Sequence, residues 1–206
     1  MIIVHHLENS RSQRILWLLD ELGLPYEVRR HARAKTMAAP AELKQVHPLG
    51  KSPIIEDDGV VIAETGAILE YLVEKAGGRL GAPKAPDEAL RYRYFLHYAE
   101  GSVMPALLML LVLERVPVFG KAVAKRLAPM LAAHLDYIEA EMATRPWFAG
   151  ESFTAADVMM SFPIEFAAAR AEGLKGRPST TAWLATVRGR PAYRAALKAG
   201  GPYAFA

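Results

Sequence analysis

Ile2-Ile3-Val4 opens the chain as a short continuous apolar run, the pattern of a buried strand, and the polar stretch Glu8 to Ser12 breaks it as a turn. From Gln13 to Leu22 the apolar residues Ile15, Leu16, Leu18, Leu19 and Leu22 recur at helical spacing, and Gly23 stops the helix. Tyr26-Glu27-Val28 predicts a second strand. Strand, helix, strand in that order demands a right-handed crossover and a parallel pair. Arg29 to Pro40 reads as a basic, irregular segment, and Ala41 to Val46 as a short helix. Two further strands then flank an acidic hairpin turn at Asp58-Gly59, and Thr65 to Lys75 returns to a helical period.

Gly77 to Asp87, rich in glycine and proline, reads as a linker. Beyond it every periodic segment is helical: Ala89 to Leu113 as one helix or a pair, Lys121 to Ala143, Thr180 to Arg188, and Ala192 to Ala199. Thr154-Ala155-Ala156-Asp157 is a capping box in front of an apolar run. The pattern predicts an α/β domain over residues 1–77, βαβ followed by ββα on a mixed sheet in the thioredoxin-like arrangement. A linker over 78–87 and an all-helical domain over 88–206 complete the expected organisation.

Composition narrows the chemistry. The 206 residues include no cysteine, which excludes disulfides, thiolate metal sites and a protein thiol nucleophile. Any thiol chemistry must arrive with a cofactor or substrate. The formal charge of +3 is small, and the basic run Arg29 to Lys35 lacks interleaved aromatic residues, so nucleic acid is not the expected partner. His5 and His6 are neighbours on a strand and face opposite sides of a sheet, so they cannot share one metal ion; packing is the expected role, and no metal is expected. Met1 runs directly into a strand without a leader pattern, and the apolar run Val103 to Leu113 is shorter than the ~20 residues a bilayer requires. A soluble cytoplasmic protein with no membrane partner is the expectation.

The most informative stretch is Lys51 to Ile68. Ser52-Pro53 stands before an apolar strand, where proline cannot donate to a sheet. A cis bond there would turn the backbone of Ser52 out of the sheet, open to an extended peptide. Glu64-Thr65-Gly66 precedes a helix whose free N–H groups make an anion cradle beside a hydroxyl and a carboxylate. A cation (Lys51), a peptide-like edge (Ser52, Pro53), an anion cradle (Thr65) and an anion (Glu64) together suit a small zwitterionic peptide.

Ser10-Arg11-Ser12-Gln13-Arg14, His47-Pro48-Leu49-Gly50-Lys51-Ser52-Pro53, Glu64-Thr65-Gly66-Ala67-Ile68 and Phe153-Thr154-Ala155-Ala156-Asp157 occur in the order and separation seen in glutathione S-transferases. The chain resembles that family in both halves. Its opening, His5-His6-Leu7 through Leu24-Pro25-Tyr26-Glu27, is similar to a branch found in bacteria and fungi. The resemblance implies glutathione as co-substrate, a small hydrophobic electrophile as second substrate, and a homodimer. Carried over position by position, Lys51 would meet the glycine carboxylate, Ser52 the cysteinyl unit, Glu64 the ammonium, and Thr65 the γ-glutamyl carboxylate. The family places Tyr, Ser or Cys at the turn after the first strand. Here that turn offers Ser10 as first candidate for the sulfur-directed donor, then Asn9, with Arg11 adding charge. Tyr98, Met104, Leu107, Leu108 and Leu111 are candidates to line the electrophile pocket. Read alone, Ser10 and Ser12 suit capping of the first helix, and the motifs downstream bring the two readings level. A glutathione-dependent peroxidase or disulfide reductase, or a non-catalytic glutathione-binding module, are the alternative functions.

Overall fold

The computed structural model describes residues 1–34, 38–170 and 173–206. The chain divides into two compact units, Met1–Gly81 with Val187–Ala206, and Ala82–Thr186.

The first unit is built on strands β1 (Ile2–Leu7), β2 (Tyr26–His31), β3 (Ile54–Asp57) and β4 (Val60–Ala63), in sheet order β2-β1-β3-β4. β1 and β2 run parallel, while β1–β3 and β3–β4 are antiparallel. The parallel pair follows from the helical crossover α1 (Gln13–Leu22), the antiparallel pair β3–β4 from the hairpin. Asp58 and Gly59 take φ of 49° and 84°, the two positive values a two-residue hairpin turn needs to match strand twist. α1 buries Ile15, Leu16, Leu18 and Leu19 completely, and left-handed Gly23 ends it. α2 (Leu43–Val46) and α3 (Thr65–Lys75) follow the expected positions. The basic run is more ordered than expected. Arg29 to His31 extend β2, Arg30 donates to the Ala199 carbonyl, and Arg33 donates to the carbonyls of Glu8 and Asn9. Lys35, the last residue of that run, lies outside the described residues.

α9 (Pro191–Gly200) packs against α1, with Tyr193 edge-on to Trp17 and Arg190 clasping both carboxylate oxygens of Glu21 at 2.5 and 2.8 Å. The sequence reading places residues 88–206 in one helical domain, whereas the structure groups 187–206 with the first unit. The amphipathic period of α9 shows that it has a partner without saying which one.

The described residues of the second unit form no strand; its elements are α4 (Pro86–Tyr98), a π-turn (Ala99–Val103), α5 (Met104–Glu114), α6 (Gly120–Thr144), α7 (Ala155–Ala168) and the start of α8 (Pro178–Gly189). Pro105 has no N–H for the preceding turn, and the widened π-turn lies where that bond would fall. The continuous helix Pro86–Glu114 is long and apolar enough to reach across a bilayer by length and composition. It nevertheless buries Phe95, Ala99, Val103, Met104 and Leu107 inside its unit. The capping box is present. Asp157 Oδ2 accepts from the Thr154 N–H and hydroxyl, and Oδ1 accepts from the Phe148 N–H.

Candidate functional site

Register places the predicted site residues at one end of the sheet. Ile54 pairs with His5 on one side and Ala63 on the other. The turn after β1, the segment before β3 and the residue after β4 therefore converge there. Ser10, Ser52, Pro53 and Glu64 all fall at this end, with Lys51 and Thr65 next in sequence. The Ser52–Pro53 peptide bond is cis. The backbone N–H and C=O of Ser52 make no hydrogen bond among the described residues. They are open to an added strand-like segment.

Ser10 is buried, and its hydroxyl lies 2.8 Å from Ser12 Oγ and 3.4 Å from Ser52 Oγ. The Ser12 N–H donates to Ser10 Oγ at 3.2 Å. Neither serine caps α1: Ser12 makes no side-chain cap bond, accepting instead from the Leu7 N–H at 3.1 Å and meeting His6 Nδ1 at 2.9 Å. The capping reading left open for these residues is thus replaced by a hydroxyl network that faces the sheet end. Asn9 takes φ 50°, a left-handed value asparagine tolerates, and its side-chain oxygen accepts from the Ala204 N–H at 2.7 Å. That bond turns the Asn9 oxygen toward the C-terminal segment. Arg11 lies half-buried in the same turn.

Glu64 takes φ 72° and ψ 124°, a conformation non-glycine residues hold only where the surroundings enforce it. Its side chain is exposed and does not cap α3, so the first N–H groups of that helix stay available. Thr65 is buried, and the fully buried Arg14 donates to its hydroxyl at 3.3 Å. Sequence reasoning missed Arg14 and His6. Arg14 stands at helical spacing on the polar side of an apolar stripe, and only the packing of α1 against α3 reveals its partner. Lys51 is exposed and makes no hydrogen bond or ion pair among the described residues.

His5 is held by the Glu56 carboxylate at 2.7 Å and by His31 Nε2 at 3.1 Å, stacked on the His31 ring. Both adjacent histidines are therefore hydrogen-bonded rather than simply packed, on opposite faces as the pleat requires. No cluster able to hold a metal ion occurs among the described residues.

The second unit places the predicted electrophile residues unequally. Met104 and Leu107 are buried in its core, and Leu108 is exposed at 38%. Leu111 is intermediate. Tyr98 lines a pocket of about 460 Å³ along α4 and the π-turn, shared with Leu90, Arg93, Tyr94, His97 and Ser102. Its hydroxyl meets His134 Nδ1 at 2.7 Å. Met104 and Leu107 thus carry packing, which the helical period alone could not separate from pocket lining.

Comparison with known proteins gives the same picture. Residues 1–74 match the family described as glutathione S-transferase, N-terminal domain, and residues 101–191 its C-terminal domain. The chain is 42% identical over 215 residues to glutathione S-transferase 3 of Schizosaccharomyces pombe, covering 96% of this chain and 87% of that one. It is 31% identical over 218 residues to glutathione S-transferase 1 of Saccharomyces cerevisiae, covering 95% and 93%. Among solved structures, a glutathione S-transferase from Actinobacillus pleuropneumoniae superposes with a TM-score of 0.85 at 32% identity, over 96% of this chain and 92% of that one. A Pseudomonas fluorescens glutathione transferase family member, solved with two glutathione bound, gives 0.82 at 25% identity, over 95% and 92%. A mixed four-stranded sheet, a cis-proline edge beside a serine turn, and matches to both domains of one family lead to one assignment: this chain belongs to the glutathione S-transferases.

Proposed function

We propose that the chain binds glutathione at the end of its sheet and uses Ser10 to hold the thiol as thiolate for attack on a small hydrophobic electrophile. The observation that carries this is the coincidence, at one sheet end, of the Ser10 hydroxyl 3.4 Å from Ser52 Oγ with the unpaired backbone of Ser52. A peptide laid along Ser52 would set its central residue beside Ser10. The uncapped α3 N-terminus and Thr65 suit the γ-glutamyl carboxylate, Glu64 the ammonium, and Lys51 the glycine carboxylate as a point charge. A free thiol of pKa near 8.5 is mostly protonated at neutral pH. A hydroxyl donor and a helix N-terminus beside the sulfur lower that value. Between the two candidate donors, Ser10 is favoured because its hydroxyl lies 3.4 Å from Ser52 Oγ, while the Asn9 amide is anchored through its oxygen to the Ala204 N–H of the C-terminal segment.

Conjugation in the cytoplasm, with a role in detoxification, belongs to the same reading, as does a homodimer. The exposed apolar side chains Leu108, Met109, Val112, Val118 and Phe119 support a surface covered by another molecule. The absence of cysteine disfavours disulfide reduction through a protein mixed disulfide.

Replacing Ser10 by Ala tests the central role. Turnover of an aryl halide should fall by roughly a hundredfold, the usual span for losing an activating donor, while calorimetric affinity for glutathione stays within a few-fold. Unchanged turnover would move the role to another residue of the turn. Loss of glutathione binding by the unmodified chain would overturn the reading altogether.

A further inference from the structure

Two side chains behind Ser10, those of Ser12 and His6, form a directional chain with it. The hydroxyl of Ser12 has one proton and three neighbours that could take it: Ser10 Oγ at 2.8 Å, His6 Nδ1 at 2.9 Å and the Leu7 carbonyl at 3.3 Å. Which one receives it depends on the ring of His6. If Nδ1 carries the imidazole proton, it donates to Ser12, which already accepts from the Leu7 N–H. Both acceptor positions of Ser12 are then filled, and its proton goes to Ser10, its nearest neighbour. Ser10 now accepts twice, from the Ser12 N–H and the Ser12 hydroxyl. Its own proton must point outward to the sheet end. If Nε2 carries the proton instead, the chain reverses. Nδ1 accepts from Ser12, Ser12 accepts from Ser10, and Ser10 presents only a lone pair, which repels a thiolate.

The surroundings of His6 decide between these states. Its partner in the parallel register is Arg30, on the same face of the sheet. His6 Nε2 and the Arg30 guanidinium border the tight approach of α9: a Cβ on Gly200 would lie 3.1 Å from His6 Nε2, and one on Gly201 3.7 Å from Arg30 Nη1. Among the described residues the His6 ring makes no hydrogen bond beyond Ser12. A proton on Nε2 would thus meet no protein acceptor and lie close to a cation, whereas a proton on Nδ1 has Ser12 to accept it. The side-chain amide of buried Gln13, which also faces Gly200, makes no hydrogen bond to compensate. Burial and the charges of Arg30 and His31 hold His6 down at about 4, so the ring is neutral at ordinary pH and carries a single proton. Glu8 is the acidic group on the small pocket shared by His6, Arg30 and His31.

We propose that His6, as its Nδ1–H tautomer, is a positioning residue that aims the Ser10 proton outward through Ser12, fixing Ser10 as a donor. The inference rests on the reading of Ser10 as the thiolate-stabilising group. It adds that the donor direction is set from inside the sheet, through two hydroxyls.

Nitrogen-15 shifts of the His6 ring in the unliganded protein, assigned by loss of the signal in His6→Asn, report the tautomer without glutathione. The expected pattern has Nδ1 protonated and Nε2 bare. The second measurement is the ultraviolet absorbance of bound glutathione thiolate against pH. His6→Leu, which removes the donor to Ser12, should raise the apparent thiol pKa by about one unit, equivalent to a tenfold loss of thiolate below that pKa. Calorimetric affinity for glutathione should stay within about threefold, since the ring lies away from the ligand. His6→Asn, whose amide N–H can stand where Nδ1–H does, should restore the titration to within about 0.3 of a unit. An Nε2–H tautomer overturns the proposal. So does a His6→Leu variant that binds glutathione and titrates like the parent. If the parent binds glutathione without forming thiolate, the role given to Ser10 fails, and the ring shifts still judge the orientation of the hydroxyls.

Discussion

Glu64 shows at the scale of one residue how a site opposes the fold that holds it. Its φ of 72° with an exposed side chain costs ~1–3 kcal/mol, and among the described residues its carboxylate makes no ion pair in return. Glycine tolerates that conformation, at an entropic cost of ~0.5–1 kcal/mol in the unfolded chain. Glu64→Gly is therefore expected to be more stable, with Tm higher by roughly 2–4 °C for ~1 kcal/mol gained, as read by thermal melting. Its affinity for glutathione should drop about tenfold by calorimetry, the equivalent of 1.4 kcal/mol, because the charge proposed to face the ammonium is gone. A variant that melts lower and binds normally would show that the side chain serves the fold. Ser10 makes the complementary point. Its sequence context, a serine three residues before a helix start, is identical for a cap and for a thiolate donor. Only the path of the Ser12 side chain, inward to Leu7 and His6 rather than onto the helix, separates the two.

Elements differ in how far their partners can be read locally. The α7 box is local: Thr154 and Asp157 stand three apart, and the structure bonds them as the spacing predicts. The fully buried Asp157 also carries a pH signature. Burial outweighs the bonds from Phe148 and Thr154 and lifts its carboxyl to about 6, above the unfolded value of 3.8. The folded protein thus binds the extra proton, so this contribution is present in full below about 4 and fades as pH rises through about 6. Asp157→Asn cannot titrate, and its amide nitrogen must face the Thr154 or Phe148 donors. It should lose ~1–3 kcal/mol in urea unfolding at pH 5. That deficit should narrow by pH 7.5, where the parent has lost its own contribution; a gap that widens with pH would reverse the assignment. α1, α3 and the hairpin were equally legible, each set by a period, a glycine stop or an Asp-Gly turn within a few residues. α9 was not, since its period fixes an apolar face while Trp17 and Glu21, its partners, lie far back in the chain. The end of β2 was obscured for a related reason: Arg29-Arg30-His31 reads as solvated charge until the Ala199 carbonyl and Glu56 supply partners. In the site, the charge pattern from Lys51 to Thr65 was legible because it is contiguous, while the His6–Ser12–Ser10 chain needs the register of β1 and the turn together.

For the whole molecule, the question is how binding at the sheet end is felt in the stability of the chain. A ligand bound only by the folded state stabilises it by RT ln(1 + [L]/Kd), about 2.7 kcal/mol at a hundredfold excess over Kd. For a chain of this length that corresponds to a rise in Tm of roughly 5–10 °C. The three tryptophans can resolve where the effect appears. Trp17 lies buried in the unit that carries the site, while Trp147 and Trp183 belong to the helical unit. With Trp147 and Trp183 replaced by Phe, fluorescence follows Trp17 alone. Its transition should move upward with glutathione and saturate as the site fills. Ser10→Ala should keep that shift almost whole, because the hydroxyl acts on the sulfur more than on the charged ends. Glu64→Gln, which keeps shape and loses charge, should reduce it. A Trp17 transition indifferent to glutathione would mean that the tripeptide does not engage this unit, and the roles given to Lys51, Ser52, Glu64 and Thr65 would fall together. If it moves in the parent but equally in Glu64→Gln, binding stands while recognition of the ammonium passes to another group.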